Sequence, residues 1–149
     1  DGFDANQIRQ GWAWLRKAWQ DEQRRRALPP PGREWSPTSY DGIFKGVRLI
    51  PLTSRAALLE EGEVMNHCIA DYFSPSTLGD RAQVLSARRP DTLDRLATVA
   101  LRRKPHGEWE VDDIKAQANR AATPAVHESA QALLGWINAR LRRNEEIRQ

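Results

Sequence analysis

Three short segments with strand-type sequences follow one another between residues 83 and 114, and they constrain the fold more than any other feature of the chain. They cover residues 83–88, 96–102 and 109–114, and each contains several apolar residues bounded by polar or turn-forming residues. The turn Lys-Pro-His-Gly at 104–107 separates the last two. A short connection that contains glycine is typical of a β-hairpin. The pattern therefore predicts an antiparallel sheet.

One further strand and several helices are predicted around these segments. Residues 47–52 predict a short strand, in which Pro51 favours a sheet edge or a strand end. Residues 55–61 predict a short helix, and Gly62 allows a bend into a second helix that starts at Glu63. Residues 33–46 are rich in turn formers and predict a linker or surface loop.

The final helix is predicted to start at Pro124, after Thr123 as its N-cap. Its apolar residues recur at helical spacing, so one face is expected to pack against the sheet. The order of elements predicts an α+β domain, with a small antiparallel sheet of three to four strands and helices packed mainly on one face.

A tryptophan-rich segment precedes the predicted domain. Trp12, Leu15 and Trp19 recur at helical spacing, and the proline-rich run at 29–31 ends the pattern. We therefore divide the chain into residues 1–32, a tryptophan-rich helix with a proline-rich stop, and residues 33–149, the α+β domain, within one globular unit. The tryptophans are either core residues or a surface that docks another protein.

Length and composition limit the class of protein. A chain of 149 residues is long enough for one domain with a hydrophobic core. It starts at Asp1 rather than at methionine, and we expect it to be a piece of a longer protein. Because no apolar run is long enough to cross a membrane and no signal peptide is present, we expect a cytoplasmic protein without a membrane partner.

The cysteine and histidine content argues against metal or cofactor binding. One cysteine cannot form an internal disulfide bond, and the histidines at 67, 106 and 127 lack the spacing of metal ligands. We therefore predict no metal site and no cofactor.

Basic residues are concentrated in three regions, at 24–26, 102–104 and 140–143, although the net charge is only +3. Such clusters can bind the phosphates of nucleic acid. They are equally typical of solvated helix ends. The candidates for nucleic-acid binding are Arg102, Arg103, Lys104, Arg140, Arg142 and Arg143.

The stretch at 59–72, Leu-Glu-Glu-Gly-Glu-Val-Met-Asn-His-Cys-Ile-Ala-Asp-Tyr, carries a family resemblance. It resembles the signature of the PcfJ-like family, with a glutamate and glycine followed by methionine, His-Cys and tyrosine. Serine and threonine strands at 86–88 and 97–101 and a segment from Trp109 to Asn119 match further family blocks, so the resemblance covers residues 49–141. It implies a protein of conjugative plasmids and other mobile elements.

The chain departs from the family pattern at three positions. Ala100 stands where an acidic residue is expected, and Asp113 and Ala116 stand where glutamine and glycine are expected. If those polar groups serve a reaction in the family, the departures imply an altered or inactive site in this chain.

The resemblance and the predicted topology together place the signature helix on the sheet, with His67 and Tyr72 near Ser86, Thr98 and Asn119. The catalytic candidates are His67, Cys68, Asp71 and Tyr72. The candidates that line a pocket are Asn66, Ser86, Arg88, Thr98, Asp113 and Asn119.

The chemistry of His67 and Cys68 allows two interpretations. Glu63 and Asp71 would flank His67 on a helix, favour its charged form and suit it to proton transfer. A catalytic thiol must be a thiolate, yet neighbouring helical residues point about 100° apart, so His67 is a poor partner for Cys68. The alternatives are an exposed helical imidazole and a buried thiol beside Met65.

Three functions follow from these residues. The first is a polar pocket around the Met65-Asn66-His67-Cys68 helix that binds a ligand or a nucleic-acid end. The second is a hydrolase or transferase that depends on Cys68 and His67, so whether the chain is an enzyme stays open. The third is a module without catalytic activity that docks another protein through the tryptophan helix. The sequence does not indicate which oligomeric state the protein adopts.

Overall fold

A computed structural model describes Lys17 and residues 34–67 and 77–148. In chain order the elements are β1 (Gly42–Phe44), β2 (Val47–Leu52), α1 (Arg55–Met65), β3 (Ala82–Arg88), β4 (Arg95–Arg103), β5 (Trp109–Lys115), a 3-10 turn (Gln117–Asn119) and α2 (Pro124–Arg148). Apart from Lys17, the predicted tryptophan helix and its proline-rich stop at 1–32 lie outside the described residues.

The five strands form one sheet in the order β1-β2-β3-β4-β5, and every neighbouring pair is antiparallel. The predicted α+β class is therefore confirmed, but the predicted strand number of three to four is wrong. The added strand is β1, which lies in the segment interpreted as a linker or loop. It forms a hairpin with β2 through Lys45 and Gly46, whose φ angles are 50° and 80°.

The sheet carries a hydrophobic core on each face. On β3, Leu85 packs with Leu133 of α2, whereas the adjacent Val84 packs with Leu58 of α1. Successive residues of a strand point to opposite faces, so the two described helices cover opposite sides of the sheet. The prediction that helices pack mainly on one face is therefore wrong. The sequence feature that indicates two covered faces is the apolar character of adjacent β3 residues, which is typical of a strand buried on both faces.

Helix α1 is one continuous helix. The side chain of Ser54 caps its start by accepting a hydrogen bond from the backbone N–H of Ala57 at 3.2 Å. It ends at Asn66, which has a left-handed conformation with φ 50° and donates its backbone N–H to the carbonyl of Gly62. The predicted bend at Gly62 and the predicted continuation of a helix through His67 are wrong, because asparagine adopts the left-handed conformation more readily than most residues and ends the helix here.

Helix α2 starts at Pro124, as predicted, and packs its apolar stripe on the sheet. Its Asn138 also binds the edge strand β5: the side-chain oxygen accepts from the backbone N–H of Trp109 at 2.9 Å, and the side-chain nitrogen donates to the carbonyl of Trp109 at 3.0 Å. Of the helices in the described residues, none is long and apolar enough to cross a membrane.

Candidate functional site

A fully buried carboxylate lies between α1 and the sheet. Glu61 shares the inward face of α1 with Leu58 and Met65, the positions three residues before and four residues after it, and its side chain is 0% exposed. A buried carboxylate is costly unless it is paired and hydrogen-bonded. The residues that satisfy it therefore define a polar site inside the protein.

Three side chains from the sheet donate hydrogen bonds to Glu61. Ser86 of β3 donates from Oγ to Oε1 at 2.9 Å, and Arg95 of β4 donates from Nε to the same oxygen at 2.7 Å. Thr98 of β4 donates from Oγ1 to Oε2 at 2.5 Å. The positive charge of Arg95 and the hydrogen bonds from Ser86 and Thr98 compensate the burial of this side chain.

His67 joins the same network from the end of α1. Its side chain is buried, and Nε2 lies 2.7 Å from Oγ1 of Thr98. The single hydroxyl hydrogen of Thr98 is directed to Glu61, so His67 Nε2 must carry a hydrogen and donate it to Thr98. This assigns the direction of the bonds from His67 through Thr98 to Glu61.

A β-bulge brings Arg95 to this face. Ala87 pairs with Ala97, yet Arg88 pairs with Arg95, so β4 contains one extra residue, Leu96. Leu96 packs against the core on the α2 side. Because side-chain direction alternates along a strand, the extra residue turns Arg95 towards Glu61.

Three arginines form a row across neighbouring strands beside the buried network. Arg48 of β2 pairs with Arg88 of β3, which pairs with Arg95 of β4. Arg48 binds both carboxylate oxygens of Asp41, from Nε and Nη2, each at 2.8 Å. Arg88 donates from Nε to Oγ of Ser86 at 3.0 Å. We call Arg48, Arg88 and Arg95 the arginine row.

The carboxylates beside the row hold two of its arginines charged. Burial opposes the charge of Arg95, but hydrogen bonds to Glu61 and Glu60 and the charges of both carboxylates raise the pKa of its guanidinium above the usual range. Hydrogen bonds from Arg48 lower the pKa of Asp41, and the charges of Arg48 and Arg88 lower it further. Arg95 and Asp41 are therefore both charged in the folded protein.

The structure brings some of the predicted site residues together and separates others. His67, Ser86, Thr98 and Arg88 belong to one network, which Glu61 joins. Asn66 is exposed at the end of α1, and Asn119 is exposed in the 3-10 turn.

Asp113 of β5 pairs with Ala100 of β4, and its carboxylate lies 3.9 Å from Nζ of Lys115. Cys68, Asp71 and Tyr72 lie outside the described residues, so their predicted roles stay predictions. Because α1 ends at Met65, Glu63 does not lie one helical turn before His67, and that part of the argument for His67 is wrong.

Sequence reasoning missed Glu61 and Arg95. Glu61 lies at helical spacing from Leu58 and Met65, which was a signal for a buried position. The predicted bend at Gly62 hid that signal by dividing the helix. Arg95 had no signal, because nothing in the sequence indicates the extra residue in β4.

The predicted nucleic-acid residues of β4 lie next to acidic residues of β5. Arg102 pairs with Glu110 and lies 3.7 Å from Asp112, and Lys104 lies 3.6 Å from Glu110. Arg103 donates to the carbonyl of Gly107 at 3.0 Å. Much of the positive charge at this edge is therefore compensated within the protein.

The predicted nucleic-acid residues of α2 form a separate group. Arg142 pairs with Glu108 at 2.9 Å, and the guanidinium of Arg140 lies 5.5 Å from the ring centre of Trp136. Arg143 is exposed. In residues 34–67 and 77–148 no group of three or more His, Cys, Asp or Glu side chains could hold a metal ion.

The comparison with protein families gives a match that covers the whole sheet, all of α1 and the first part of α2. The family model described as PcfJ-like protein matches residues 36–133, a range that contains the whole Glu61 network. No curated protein and no solved structure matches the chain. Because the family model matches well over half of the chain, the chain belongs to the PcfJ-like protein family.

Proposed function

We propose that this PcfJ-like domain binds the end of a nucleic acid at the polar site between α1 and the sheet. The observation that carries the proposal is the convergence of His67, Ser86 and Thr98 on Glu61, from α1 and two strands. Such a network fixes the surrounding polar groups in one arrangement, which is what a preorganised binding site needs.

The rim of the site supplies groups suited to this ligand. Arg88 is half-buried beside the network, and Asn66 is exposed where α1 ends. Arginine binds phosphate oxygens with a planar fork of N–H donors. The basic residues at the β4–β5 edge support a nucleic-acid surface less well, because Glu110 binds both Arg102 and Lys104.

The hydrolase or transferase alternative depends on residues outside the described part of the chain, above all Cys68. His67 Nε2 is engaged with Thr98 inside the protein, so proton transfer by that atom would break the contact. The docking alternative depends on the tryptophan segment at 1–32. Both stay predictions, and binding is the function that the described geometry supports best.

The test is binding of short single-stranded DNA, labelled at an internal base, to the full chain and to two serine variants. Ser86 and Ser129 are both 0% exposed, but Ser86 belongs to the Glu61 network and Ser129 donates to a carbonyl within α2 on the other face. Ser86→Ala should weaken binding roughly threefold to tenfold, the effect of one lost hydrogen bond.

Ser129→Ala is the matched control, because it also removes a buried hydroxyl. It should bind DNA like the parent protein even if its melting temperature falls. Circular single-stranded DNA should compete poorly, since it has no end. Absence of any complex at low salt, or equal weakening by both serine variants, would refute the proposal.

A further inference from the structure

The middle arginine of the arginine row differs from its two neighbours. Arg48 uses Nε and Nη2 on Asp41, and Arg95 uses Nε on Glu61 and Nη2 on Glu60. Arg88 uses Nε on the hydroxyl of Ser86. Within residues 34–67 and 77–148, Arg88 is in no ion pair.

The contact with Ser86 holds Arg88 in place without neutralising it. Ser86 Oγ accepts from Arg88 at 3.0 Å and donates to Glu61 at 2.9 Å, so the hydroxyl is fixed from both sides. A guanidinium has five N–H donors, and this contact uses one of them. The remaining donors of a half-buried, oriented guanidinium are preorganised to bind an anion.

The carboxylates nearby are already bound. Asp41 is held by Arg48, and Glu60 and Glu61 are held by Arg95. An anion for Arg88 therefore has to come from outside this set. Two oxygens of one phosphate match the planar fork of a guanidinium, which makes the contact bidentate.

We infer that Arg88 binds a phosphate group at the end of the ligand, a step that rests on the nucleic-acid binding proposed above. Ser86 is then a positioning residue, which orients Arg88 through Nε. Arg48 and Arg95 hold the nearby carboxylates in their own ion pairs, and of these carboxylates Asp41 still lies within electrostatic range of Arg88.

The experiment compares single-stranded DNA ends with and without a terminal phosphate, on the 5′ and then on the 3′ side, with the label at an internal base. The proteins are the full chain, Arg88→Gln, Arg88→Lys and the control Arg89→Gln. Arg89 is the next residue in the chain, is exposed and lies 3.9 Å from Asp91. Inorganic phosphate and a nucleoside monophosphate are tested by calorimetry as small sources of the same group.

A phosphate on one end should tighten binding roughly 10- to 100-fold, the range for a charge-assisted hydrogen bond. Arg88→Gln should remove that difference, Arg88→Lys should restore part of it, and Arg89→Gln should keep it. Melting temperatures of the variants identify any that fail to fold. If Arg88→Gln does not fold, Arg88→Lys still tests the inference, because it keeps the charge but loses the planar fork of donors.

The other possible results separate the phosphate inference from the proposed binding of a nucleic-acid end. Equal binding of both kinds of end, still weakened by Ser86→Ala, overturns the phosphate inference and leaves the proposed function standing. Binding of the nucleoside monophosphate through Arg88 without binding of DNA supports the phosphate site and overturns the nucleic-acid end. Absence of binding by every probe overturns both.

Discussion

Arg95 and Glu61 form an ion pair in which the side chain of Glu61 is 0% exposed and that of Arg95 is 15% exposed, with Nε of Arg95 2.7 Å from Oε1 of Glu61. The pair joins β4 to α1 across the face of the sheet opposite α2. Removing one partner of such a pair leaves the other charge without compensation inside the protein.

Glu61→Gln should therefore lower the free energy of unfolding by about 3–5 kcal/mol. Glu60→Gln is the control, because Glu60 contacts the same arginine at 3.2 Å but its side chain is 67% exposed. Exposed ion pairs contribute about 1 kcal/mol or less. Urea denaturation of both variants measures the difference, and equal losses would contradict the role of Glu61.

Asn138 should stabilise the edge strand β5 through the backbone of Trp109. Asn138→Ala leaves the N–H and the carbonyl of Trp109 without their side-chain partner, and the free energy of unfolding should fall by about 1–3 kcal/mol. Asn144→Ala removes an exposed asparagine from the same helix and should change stability by about 0.5 kcal/mol or less. A similar loss in both would show that the contact is unimportant.

The β1–β2 hairpin should respond in opposite directions to two changes in its turn. Lys45 and Gly46 both have positive φ angles, and Asn-Gly is the preferred pair for such a turn. Gly46→Ala should lower the free energy of unfolding by about 1–2 kcal/mol, because a side chain is strained there. Lys45→Asn should raise the melting temperature. A fall in melting temperature for Lys45→Asn would be inconsistent with this turn.

The carboxyl of Glu110 should titrate at lower pH than an isolated glutamate. Its hydrogen bond with Arg102, together with the charges of Arg102 and Lys104, lowers its pKa from 4.5 despite some desolvation. A lowered pKa in the folded state means that this carboxylate stabilises the fold above the unfolded pKa. That contribution is lost as the pH falls through the folded pKa, below 4.5.

An NMR titration of the side-chain carboxyl carbons measures the effect. Arg102→Gln should return the pKa of Glu110 towards 4.5, while Glu108, whose pKa is lowered chiefly by its hydrogen bond with Arg142, should stay lowered. An unchanged Glu110 titration in Arg102→Gln would rule out this ion pair in solution.

The sequence was sufficient to predict β3, β4 and β5, because each has several apolar residues and the turn at 104–107 separates the last two. It was insufficient for β1, whose three residues, Gly42–Phe44, are too few to show an alternating pattern. The end of α1 was predicted wrongly because Gly62 was taken as a bend between two helices. Asn66 adopts the left-handed conformation instead.

The proximity of His67 to Ser86 and Thr98 was expected from the family blocks, and the structure places them in one network. The centre of that network was not predicted. A glutamate at a buried helical position is plausible only once its cation is known, and Arg95 reaches it through a bulge that leaves no mark in the sequence.

The hydrogen bonds that Glu61 accepts join residues far apart in the chain, from 25 residues between Glu61 and Ser86 to 37 between Glu61 and Thr98. We predict that they form late in folding, because α1 has to dock on a completed β3–β4 hairpin before they can close. Interactions absent from the transition state slow unfolding without speeding folding. If these contacts are absent from the transition state, their loss should show mainly as a faster unfolding rate.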